Sequence, residues 1–274
     1  MSRVWFVTGS SRGLGRALVE YALSKGDSVV ATARNKDVLS DVLKKYGKSK
    51  VLLYSLDVVN YESAVAAVHA AVNKFKRIDI LVNNAGYANP ASFEDSTLES
   101  FNEQIDVNFN GVVNVTKAIL PILRQQGSGY IFNVSSLGSR LGTPGLSAYQ
   151  AAKWAVSGFS SVLASELGPL NIKVTSLEPG GIRTDWAGSS MTIPPISDAY
   201  QDTVGALCKL IRDNNGKEPS LPEKFGPILE KLYATPKPPV RLLIGTDAVQ
   251  YGAHVDDVQR KSDEEWKELG LLSV

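Results

Sequence analysis

Short apolar runs alternate along the chain with longer amphipathic segments, and this alternation constrains the fold more than any other feature of the sequence. Most runs lack a clean period of two, which is typical of strands buried on both faces of a parallel sheet. The sequence therefore predicts an α/β fold in which helices cover both faces of the sheet. We expect strands at 4–8, 28–32, 50–56, 79–83, 130–135, 172–179 and 240–245, and helices near 13–25, 36–46, 61–75, 110–125 and 148–168.

Length and charge restrict the domain organisation and the class of partner. The chain has 274 residues, of which 43% are hydrophobic, so we expect one domain at 1–274 with a substantial core. Its formal net charge of +1 is spread along the chain, without the blocks of Lys or Arg that bind nucleic acid or anionic membranes. We therefore expect a small-molecule substrate as partner, and neither nucleic acid nor a membrane.

The chain has few residues that could bind a metal or form a disulfide. Cys208 is the single cysteine, and His69 and His254 are distant in sequence, so we expect no disulfide framework and no metal site. The N-terminal residues lead into a glycine-rich loop before an apolar signal-peptide core can develop, and no apolar run approaches ~18 residues. These features predict a soluble, cytoplasmic protein.

The first predicted strand is followed by TGSSRGLG, in which Gly9, Gly13 and Gly15 are interspersed with Ser11 and Leu14. Glycines at a turn between a strand and a helix let the backbone approach a pyrophosphate, and the helix N-terminus supplies amide donors. The spacing differs from the usual Gly-x-Gly-x-x-Gly, and such a loop can also be a turn without a ligand. Its place directly after the first strand favours a dinucleotide site.

The end of the second predicted strand indicates which dinucleotide binds. NAD sites normally carry Asp or Glu about 20 residues after the glycine loop, where it accepts hydrogen bonds from the ribose 2′-hydroxyl. Here Ala33 occupies that place and Arg34 follows it. A guanidinium binds a 2′-phosphate, and Arg12 in the glycine loop adds a second positive charge. Either arginine alone could be simply solvated, but together they predict NADP(H) as cofactor.

The pattern Tyr-x-x-x-Lys occurs four times, beginning at Tyr21, Tyr46, Tyr149 and Tyr233. A productive pair needs a helix, so that both side chains share a face, and a place at the carboxyl ends of parallel strands, where ligands bind. Tyr21 lies late in its predicted helix, and Tyr46 lies in an exposed, lysine-rich stretch. Pro236 would break a helix after Tyr233. We therefore expect the functional pair to be Tyr149 and Lys153.

This pair has a serine partner. Ser136 directly follows a predicted strand and precedes Tyr149 by 13 residues, whereas Ser220 precedes Tyr233 by the same distance but follows no strand. A nearby ammonium lowers the pKa of a phenol by roughly 1 to 3 units, so with Lys153 close by Tyr149 could transfer a proton near neutral pH. Ser136 would bind the same substrate oxygen. The set predicts interconversion of a carbonyl and an alcohol, with the hydride belonging to the cofactor.

Several motifs occur in an order that resembles the classical short-chain dehydrogenase/reductase family. They are TGSSRGLG, Asp57 after the third strand, NNAG at 83–86, Ser136 with YQAAK, and EPGGIRT at 178–184. The resemblance covers about residues 3–190 and the final strand. It implies a Rossmann fold with a seven-stranded sheet in the order 3-2-1-4-5-6-7, and NAD(P) binding. It also implies that Asn108 holds a water that links Lys153 to solvent.

The resemblance assigns further cofactor contacts and an oligomer. The residues expected along the adenine, the adenosine and the nicotinamide are Asp57, Val58, Asn84, Ala85, Gly86, Pro179, Gly180, Ile182 and Thr184. Relatives pair the helices at 110–125 and 148–168 across a twofold axis, which implies a homodimer or homotetramer. The apolar candidates for that interface are Trp154, Val156, Phe159 and Val162.

A proline-rich stretch at about 185–239 is interpreted as an insertion before the last strand that forms a lid over the substrate. Its start carries apolar residues but no cluster of Arg or Lys, which favours a medium-sized, largely apolar substrate. These apolar groups could instead serve only to pack the insertion against the body. The expected substrate contacts are Tyr87, Leu137, Leu141, Trp186 and Met191.

The leading hypothesis is an NADP(H)-dependent carbonyl reductase or alcohol dehydrogenase. The main alternative is a non-catalytic regulator that binds NADP(H) on the same fold, because a fold does not imply a function. A regulator has no need of Ser136, Tyr149, Lys153 and Asn108 together, so the complete set favours an enzyme. A sugar epimerase of the extended branch of the family is disfavoured by the glycine spacing.

Overall fold

The computed structural model describes residues 2–188 and 190–273; residues 1, 189 and 274 of the predicted domain, of which 189 also belongs to the predicted insertion, lie outside the described residues. The strands are β1 (Val4–Val7), β2 (Ser28–Ala33), β3 (Val51–Ser55), β4 (Ile80–Asn83), β5 (Gly129–Val134), β6 (Ile172–Pro179) and β7 (Arg241–Ile244). They form one seven-stranded parallel sheet in the order β3-β2-β1-β4-β5-β6-β7. The predicted α/β Rossmann fold and its strand order are confirmed.

Helices connect the strands, and side chains cap several of their ends. The α-helices are α1 (Gly13–Ser24), α2 (Ser40–Tyr46), α3 (Tyr61–Phe75), α4 (Leu98–Ile105), α5 (Gly111–Gln126), α6 (Ser147–Leu167), α7 (Ala206–Asn214), α8 (Phe225–Ala234), α9 (Thr246–Glu265) and α10 (Lys267–Leu271). Asn60 caps α3 by accepting a hydrogen bond from the Ser63 amide at 2.9 Å. Gly127, with φ of +67°, ends α5.

Two hydrophobic clusters, one on each face of the sheet, form the core. Successive residues of β1 alternate between them: Trp5 and Val7 belong to one cluster, and Val4 and Phe6 to the other. The first cluster includes side chains from α1, α2 and α8, and the second includes side chains from α3, α5 and α6. Because both faces are buried, the strands need apolar residues at nearly every position.

The insertion predicted at 185–239 is divided between the core and the cleft. Leu229 of α8 is fully buried, and α8 packs with α1 in the core, so its residues belong to the body of the protein. We call residues 185–188 and 190–214 the lid segment. The predicted helices were found with small shifts in their ends. Helices α4, α9 and α10 were not predicted, nor was the cap of α4, in which Thr97 accepts a hydrogen bond from the Ser100 amide at 3.1 Å.

Membrane-spanning helices and metal-binding clusters are absent from residues 2–188 and 190–273. No helix in these ranges is long and apolar enough to cross a bilayer. No group of three or more His, Cys, Asp or Glu side chains in them could hold a metal ion. Cys208 is a buried free thiol on α7, and its burial raises the pKa of the thiol.

Candidate active site

A cleft of about 1010 Å³ opens along the carboxyl edge of the sheet, at the ends of the strands from β1 to β6. Its volume lies at the upper end of the range of about 300–1,000 Å³ that is usual for ligand sites. Among the predicted cofactor residues, Gly15 lies behind the glycine loop and does not line the cleft. The others line it: Gly9, Ser11, Arg12, Gly13, Leu14, Arg34, Asp57, Val58, Asn84, Ala85, Gly86, Tyr149, Lys153, Pro179, Gly180, Ile182 and Thr184.

The glycine loop after β1 needs glycine at three positions for its conformation and its close packing. Gly9 and Gly13 adopt left-handed φ angles of +65° and +54°. A side chain on Gly15 would overlap the Gly9 carbonyl and the Asn84 amide group. Asn84 in turn donates to the carbonyl oxygens of Thr8 and Gly9 at 2.9 and 3.1 Å. Helix α1, which is described throughout, starts without a side-chain cap or an acidic residue in its first turn, so its free amides fit an anionic cofactor.

The two arginines predicted at the 2′-phosphate have different surroundings. Arg34 is exposed and lines the cleft together with Ala33 and Asp57. Arg12 is also exposed, but its Nη1 pairs with Asp185 Oδ2 at 2.8 Å. An exposed ion pair contributes only about 0–1 kcal/mol, so a phosphate could displace Asp185, but it would have to compete for Arg12. Arg34 is therefore the better placed of the two.

Ser136, Tyr149 and Lys153 face the same part of the cleft. Tyr149 and Lys153 lie one turn apart on α6, and Lys153 Nζ is 5.5 Å from the centroid of the phenol ring. Nζ donates to the Val134 carbonyl at 2.8 Å, which fixes a side chain that is 4% exposed. Ser136 follows β5, and its Oγ accepts a hydrogen bond from the Gly138 amide at 3.0 Å, which leaves its proton for a ligand.

The pKa values of this pair differ from the expectation drawn from the sequence. Burial raises the pKa of Tyr149 to about 12, and the nearby Ser136 hydroxyl opposes this only in part. Burial lowers the pKa of Lys153 to about 8. The predicted lowering of the Tyr149 pKa by the ammonium is not found, because withdrawal from water outweighs it and Lys153 donates to a backbone carbonyl. The phenol therefore keeps its proton at neutral pH.

Asn108 lies in a π-helical turn, Asp106–Asn110, between α4 and α5. Its buried side chain donates to the carbonyl oxygens of Tyr87 and Gln104, both at 2.8 Å, and accepts from the Tyr87 amide at 3.2 Å. Such turns are frequent at functional sites. Unlike the other predicted catalytic residues, Asn108 does not line the cleft. Its amide protons are used within the protein, so the side chain shapes this turn, and the water that it was expected to hold stays a prediction.

Apolar side chains cover the phenol of Tyr149. The ring of Trp186 lies 5.7 Å from the ring of Tyr149, and both join a cluster that includes Leu207 and Ile211 of α7. Met191 was predicted to line the substrate site, but it is 4% exposed and packs inside this cluster instead. The other predicted substrate residues line the cleft: Tyr87, Leu137, Leu141 and Trp186.

Arg212, on α7, binds the backbone of the lid segment on both sides of residue 189. Its Nη1 donates to the carbonyl oxygens of Ala187 and Gly188, the latter at 2.6 Å, and its Nη2 donates to the Met191 carbonyl at 2.8 Å. Arg212 was not predicted from the sequence, because a single arginine in a polar helix carries no local signal. The lid segment is thus held by a side chain that binds its backbone.

Asp247, another missed residue, supports the EPGGIRT stretch. It lies at the start of α9 and accepts a hydrogen bond from the Gly181 amide at 2.7 Å. A side chain on Gly180 would overlap its carboxylate. Ser220, considered above as a partner of Tyr233, instead pairs with Ile182 in a parallel bridge. Because Asp247 directly follows the last strand, its place at the carboxyl edge was a signal that could have identified it.

The three other tyrosines of the repeated pattern have structural contacts, and the cleft-lining residues that the structure describes include none of them. Tyr46 donates to Glu20 Oε2 at 2.7 Å. Tyr21 donates to Glu230. Tyr233 packs against the core, and α8 ends at Ala234, before Pro236.

Comparison with known proteins identifies the family. A family model described as short chain dehydrogenase matches residues 3–192. The chain is 54% identical over 274 residues to Oxidoreductase BOA17 of Botryotinia fuckeliana (strain B05.10), with 100% of both chains covered. A solved short-chain dehydrogenase from Streptomyces avermitilis has a TM-score of 0.91 and 34% identity, with 100% of this chain and 99% of that chain covered. A 3-ketoacyl-(acyl-carrier-protein) reductase from Brucella melitensis, complexed with NADH, has a TM-score of 0.75 and 27% identity, with 89% and 96% covered. The chain therefore belongs to the short-chain dehydrogenase/reductase family of oxidoreductases.

Proposed function

We propose that the protein is an NADP(H)-dependent oxidoreductase that interconverts a carbonyl and an alcohol on a medium-sized, largely apolar substrate. The observation that carries this proposal is the meeting of Ser136, Tyr149 and Lys153 on one cleft beside the glycine loop. A regulator that only bound NADP(H) would need the cleft but not these three side chains. We observe nothing in the described residues that favours that alternative.

Tyr149 is the proton donor for reduction in this proposal. Its pKa of about 12 keeps the phenol protonated at neutral pH, so it can give its proton to the substrate oxygen as that oxygen gains negative charge. The Ser136 hydroxyl donates a second hydrogen bond to the same oxygen and stabilises the charge. The bound nicotinamide supplies or accepts the hydride. Alcohol oxidation uses the reverse transfer, in which the phenolate accepts the proton of the alcohol.

Lys153 supports the phenol through its charge and would also hold the ribose of the nicotinamide. With a pKa of about 8, its side chain is largely an ammonium at neutral pH. That charge stabilises the phenolate that remains after Tyr149 has given up its proton. The hydrogen bond from Nζ to the Val134 carbonyl holds the charge at this corner of the cleft.

The direct test of the activity is consumption of NADPH with a panel of ketones and aldehydes, together with identification of the alcohol product. We expect turnover of at least one bulky apolar carbonyl. Binding of NADPH without turnover on the whole panel would support the regulator instead.

The preference for NADP(H) is proposed on the exposed guanidinium of Arg34 at the end of β2 and on the absence of a carboxylate at Ala33. The Brucella relative was complexed with NADH, so the choice has to be measured for this chain. We expect Arg34→Asp to reduce the preference for NADPH over NADH by about 100-fold, because it replaces a charge-assisted bond with repulsion. Arg12→Gln is the matched control with a smaller expected effect. An unchanged preference for NADPH in Arg34→Asp would contradict the proposed role of Arg34.

The apolar substrate is proposed from the lining of the cleft away from the glycine loop. Leu207, Leu210 and Ile211 of α7 line the cleft, as does Leu141. Among the lining residues that the structure describes, the cationic side chains all lie on the cofactor side: Arg12, Arg34 and Lys153. We expect kcat/KM for a bulky hydrophobic ketone to exceed that for a small keto acid by at least about tenfold. Preference for the acid would contradict this proposal.

A homodimer or homotetramer is proposed through α6. Trp154 and Val162 of this helix are 52% and 56% exposed, which leaves apolar area for a second subunit. Val156 was named as an interface candidate, but it is fully buried in its own subunit, and Phe159 packs partly on the core. Light scattering at micromolar concentration is expected to show an oligomer, and a monomer alone would reject the proposal.

A further inference from the structure

The hydroxyl of Ser157 is the centre of a buried polar network behind the catalytic residues. Ser157 lies on α6, one turn after Lys153, and is 2% exposed. The oxygen atoms within hydrogen-bond distance of its Oγ are Ser135 Oγ at 2.9 Å, Ser139 Oγ and Ser176 Oγ both at 3.0 Å, and Glu178 Oε1 at 3.1 Å. One proton and two lone pairs cannot satisfy all four at once. Ser139 uses its own proton on the Ser136 carbonyl, so the Ser157 proton is shared between Ser139 Oγ and Glu178 Oε1.

Glu178 on β6 is fully buried, and two arginines compensate its charge. Its Oε2 accepts from Arg140 Nε at 2.6 Å, and its Oε1 accepts from Arg241 Nε. Arg140 also pairs with Asp256 of α9 at 2.9 Å. A buried carboxylate without such partners would be strongly destabilising, so Glu178 is fixed in place by the groups that neutralise it.

The network fastens both sides of Ser136 to α6. Before it in the chain, Ser135 Oγ donates to the Lys153 carbonyl at 2.9 Å and contacts Ser157 Oγ. After it, Ser139 Oγ donates to the Ser136 carbonyl at 2.8 Å and accepts from Ser157 Oγ at 3.0 Å. Helix α6 carries Tyr149 and Lys153 on the preceding turns. Ser157 and Glu178 therefore join the segment that bears the serine to the helix that bears the phenol.

We propose that Ser157 and Glu178 are positioning residues that set the place of the Ser136 hydroxyl relative to the Tyr149 phenol. The inference rests on the proposed function, in which both hydroxyls bind one substrate oxygen. Catalytic groups have to stay within about 0.5 Å of their productive geometry, so a junction of this kind affects the chemical step more than substrate or cofactor binding.

The test is a double-mutant cycle between Ser157→Ala and Ser136→Ala, measured on the ketone that the wild type reduces fastest. We expect Ser157→Ala alone to lower kcat about tenfold, while KM and the Kd for NADPH stay within about twofold. In the Ser136→Ala background the same change is expected to lower kcat by less than about twofold, because the group that it positions is already absent. Equal losses in both backgrounds, or an unchanged kcat in Ser157→Ala, would overturn the proposal.

Two further variants provide a control for this cycle and a test of Glu178. Ser161→Ala is the matched control, because the Ser161 hydroxyl lies on the same helix and donates to the Ser157 carbonyl at 3.0 Å; its kcat is expected to be that of the wild type. Glu178→Gln keeps the shape but removes the charge that holds Arg140 and Arg241, so we expect it to lower both kcat and Tm. Ser157→Ala avoids that charge imbalance and decides the question if Glu178→Gln does not fold.

Amide hydrogen exchange of residues 136–140 in the cofactor-free protein separates this inference from the proposed function, because it needs no substrate. We expect exchange about tenfold faster in Ser157→Ala and unchanged in Ser161→Ala. If the wild type reduces no carbonyl with NADPH, the proposed function fails, whereas the exchange rates still show whether Ser157 fixes the serine segment. Unchanged exchange in Ser157→Ala would overturn the inference alone.

Discussion

Two Tyr-x-x-x-Lys pairs of this protein have nearly the same separation. On α6, Lys153 Nζ lies 5.5 Å from the centroid of the Tyr149 ring, and Lys25, which directly follows α1, has its Nζ 5.4 Å from the centroid of the Tyr21 ring. Burial raises the pKa of both phenols to about 12. Neither the pattern, nor the separation, nor the pKa distinguishes the two pairs.

Their placement on the sheet distinguishes them. Tyr21 lies near the amino edge, where its hydroxyl donates to Glu230 and Lys25 is exposed. Tyr149 lies at the carboxyl edge, beside Ser136 and the glycine loop, and its lysine is buried. At that edge loops and helix N-termini converge on a ligand, whereas at the amino edge a phenol only joins elements together. Under the proposed function, position in the fold decides which pair takes part in catalysis, and four predictions test this contrast.

Substituting the glycine beside each pair is expected to lower kcat for the Tyr149 pair and stability for the Tyr21 pair. A side chain on Gly86 would lie 2.5 Å from Asn108 Oδ1 and 3.4 Å from Lys153 Nζ, and a side chain on Gly226 would overlap the Tyr21 ring. We expect Gly86→Ala to lower kcat about 100-fold, because the added methyl group displaces the buried Asn108 side chain and the turn that it holds at the edge of the cleft. Gly226→Ala is expected to lower stability by about 1–3 kcal/mol and to leave kcat within about twofold. Steady-state kinetics and thermal unfolding of both variants measure this, and equal kinetic losses would erase the contrast.

The pH dependence of the reductive kcat/KM is expected to follow the ionisation of Lys153. The pKa of Lys153 is lowered to about 8, so its ammonium is present below that pH and lost above it. Tyr149, at about 12, keeps its proton throughout this range. Reductive kcat/KM is therefore expected to be flat below about pH 8 and to fall by about tenfold per unit above it. A profile that stays flat to pH 10, or rises, would contradict the role of this charge.

The smallest expected effect concerns the cover over Tyr149, which is built by the lid segment. Arg212→Gln removes the guanidinium that binds the carbonyl oxygens around Ala187 and Met191, so Trp186 is held less firmly against the phenol. We expect KM for an apolar ketone to rise about fivefold with kcat nearly unchanged. Arg260→Gln, at an exposed arginine on α9, is the control. An unchanged KM in Arg212→Gln would show that the clamp does not affect the substrate.

Most of the fold could be predicted from the sequence, because strands buried on both faces leave a continuous apolar run. The division of the predicted insertion could not. Its prolines indicated loops, yet Pro227 lies in the first turn of α8, where a missing amide proton breaks no helical hydrogen bond. The burial of Leu229 against the core depends on residues that are distant in sequence, and no local pattern records it.

In the candidate site, too, some residues could be predicted from the sequence and others could not. The positions of Ser136, Tyr149 and Lys153 at the cleft could be predicted because each lies at a fixed distance from a strand or within one helix. Arg212 and Ser157 act through partners on other elements, so their spacing in the chain gives no signal. The direction of the Tyr149 pKa shift was also missed, because it depends on how completely the folded chain withdraws the phenol from water.

The most direct test of the central claim compares Tyr149→Phe with Tyr21→Phe. For each variant the Kd for NADPH and the rate of ketone reduction in a single turnover are measured. We expect Tyr149→Phe to bind NADPH within about twofold of the wild type and to lose at least about 1,000-fold in the reduction rate, because the proton donor is gone. Tyr21→Phe is expected to keep both, with a slightly lower Tm from the lost bond to Glu230. Reduction that survives in Tyr149→Phe, or that is lost in Tyr21→Phe with its fold intact, would contradict the account.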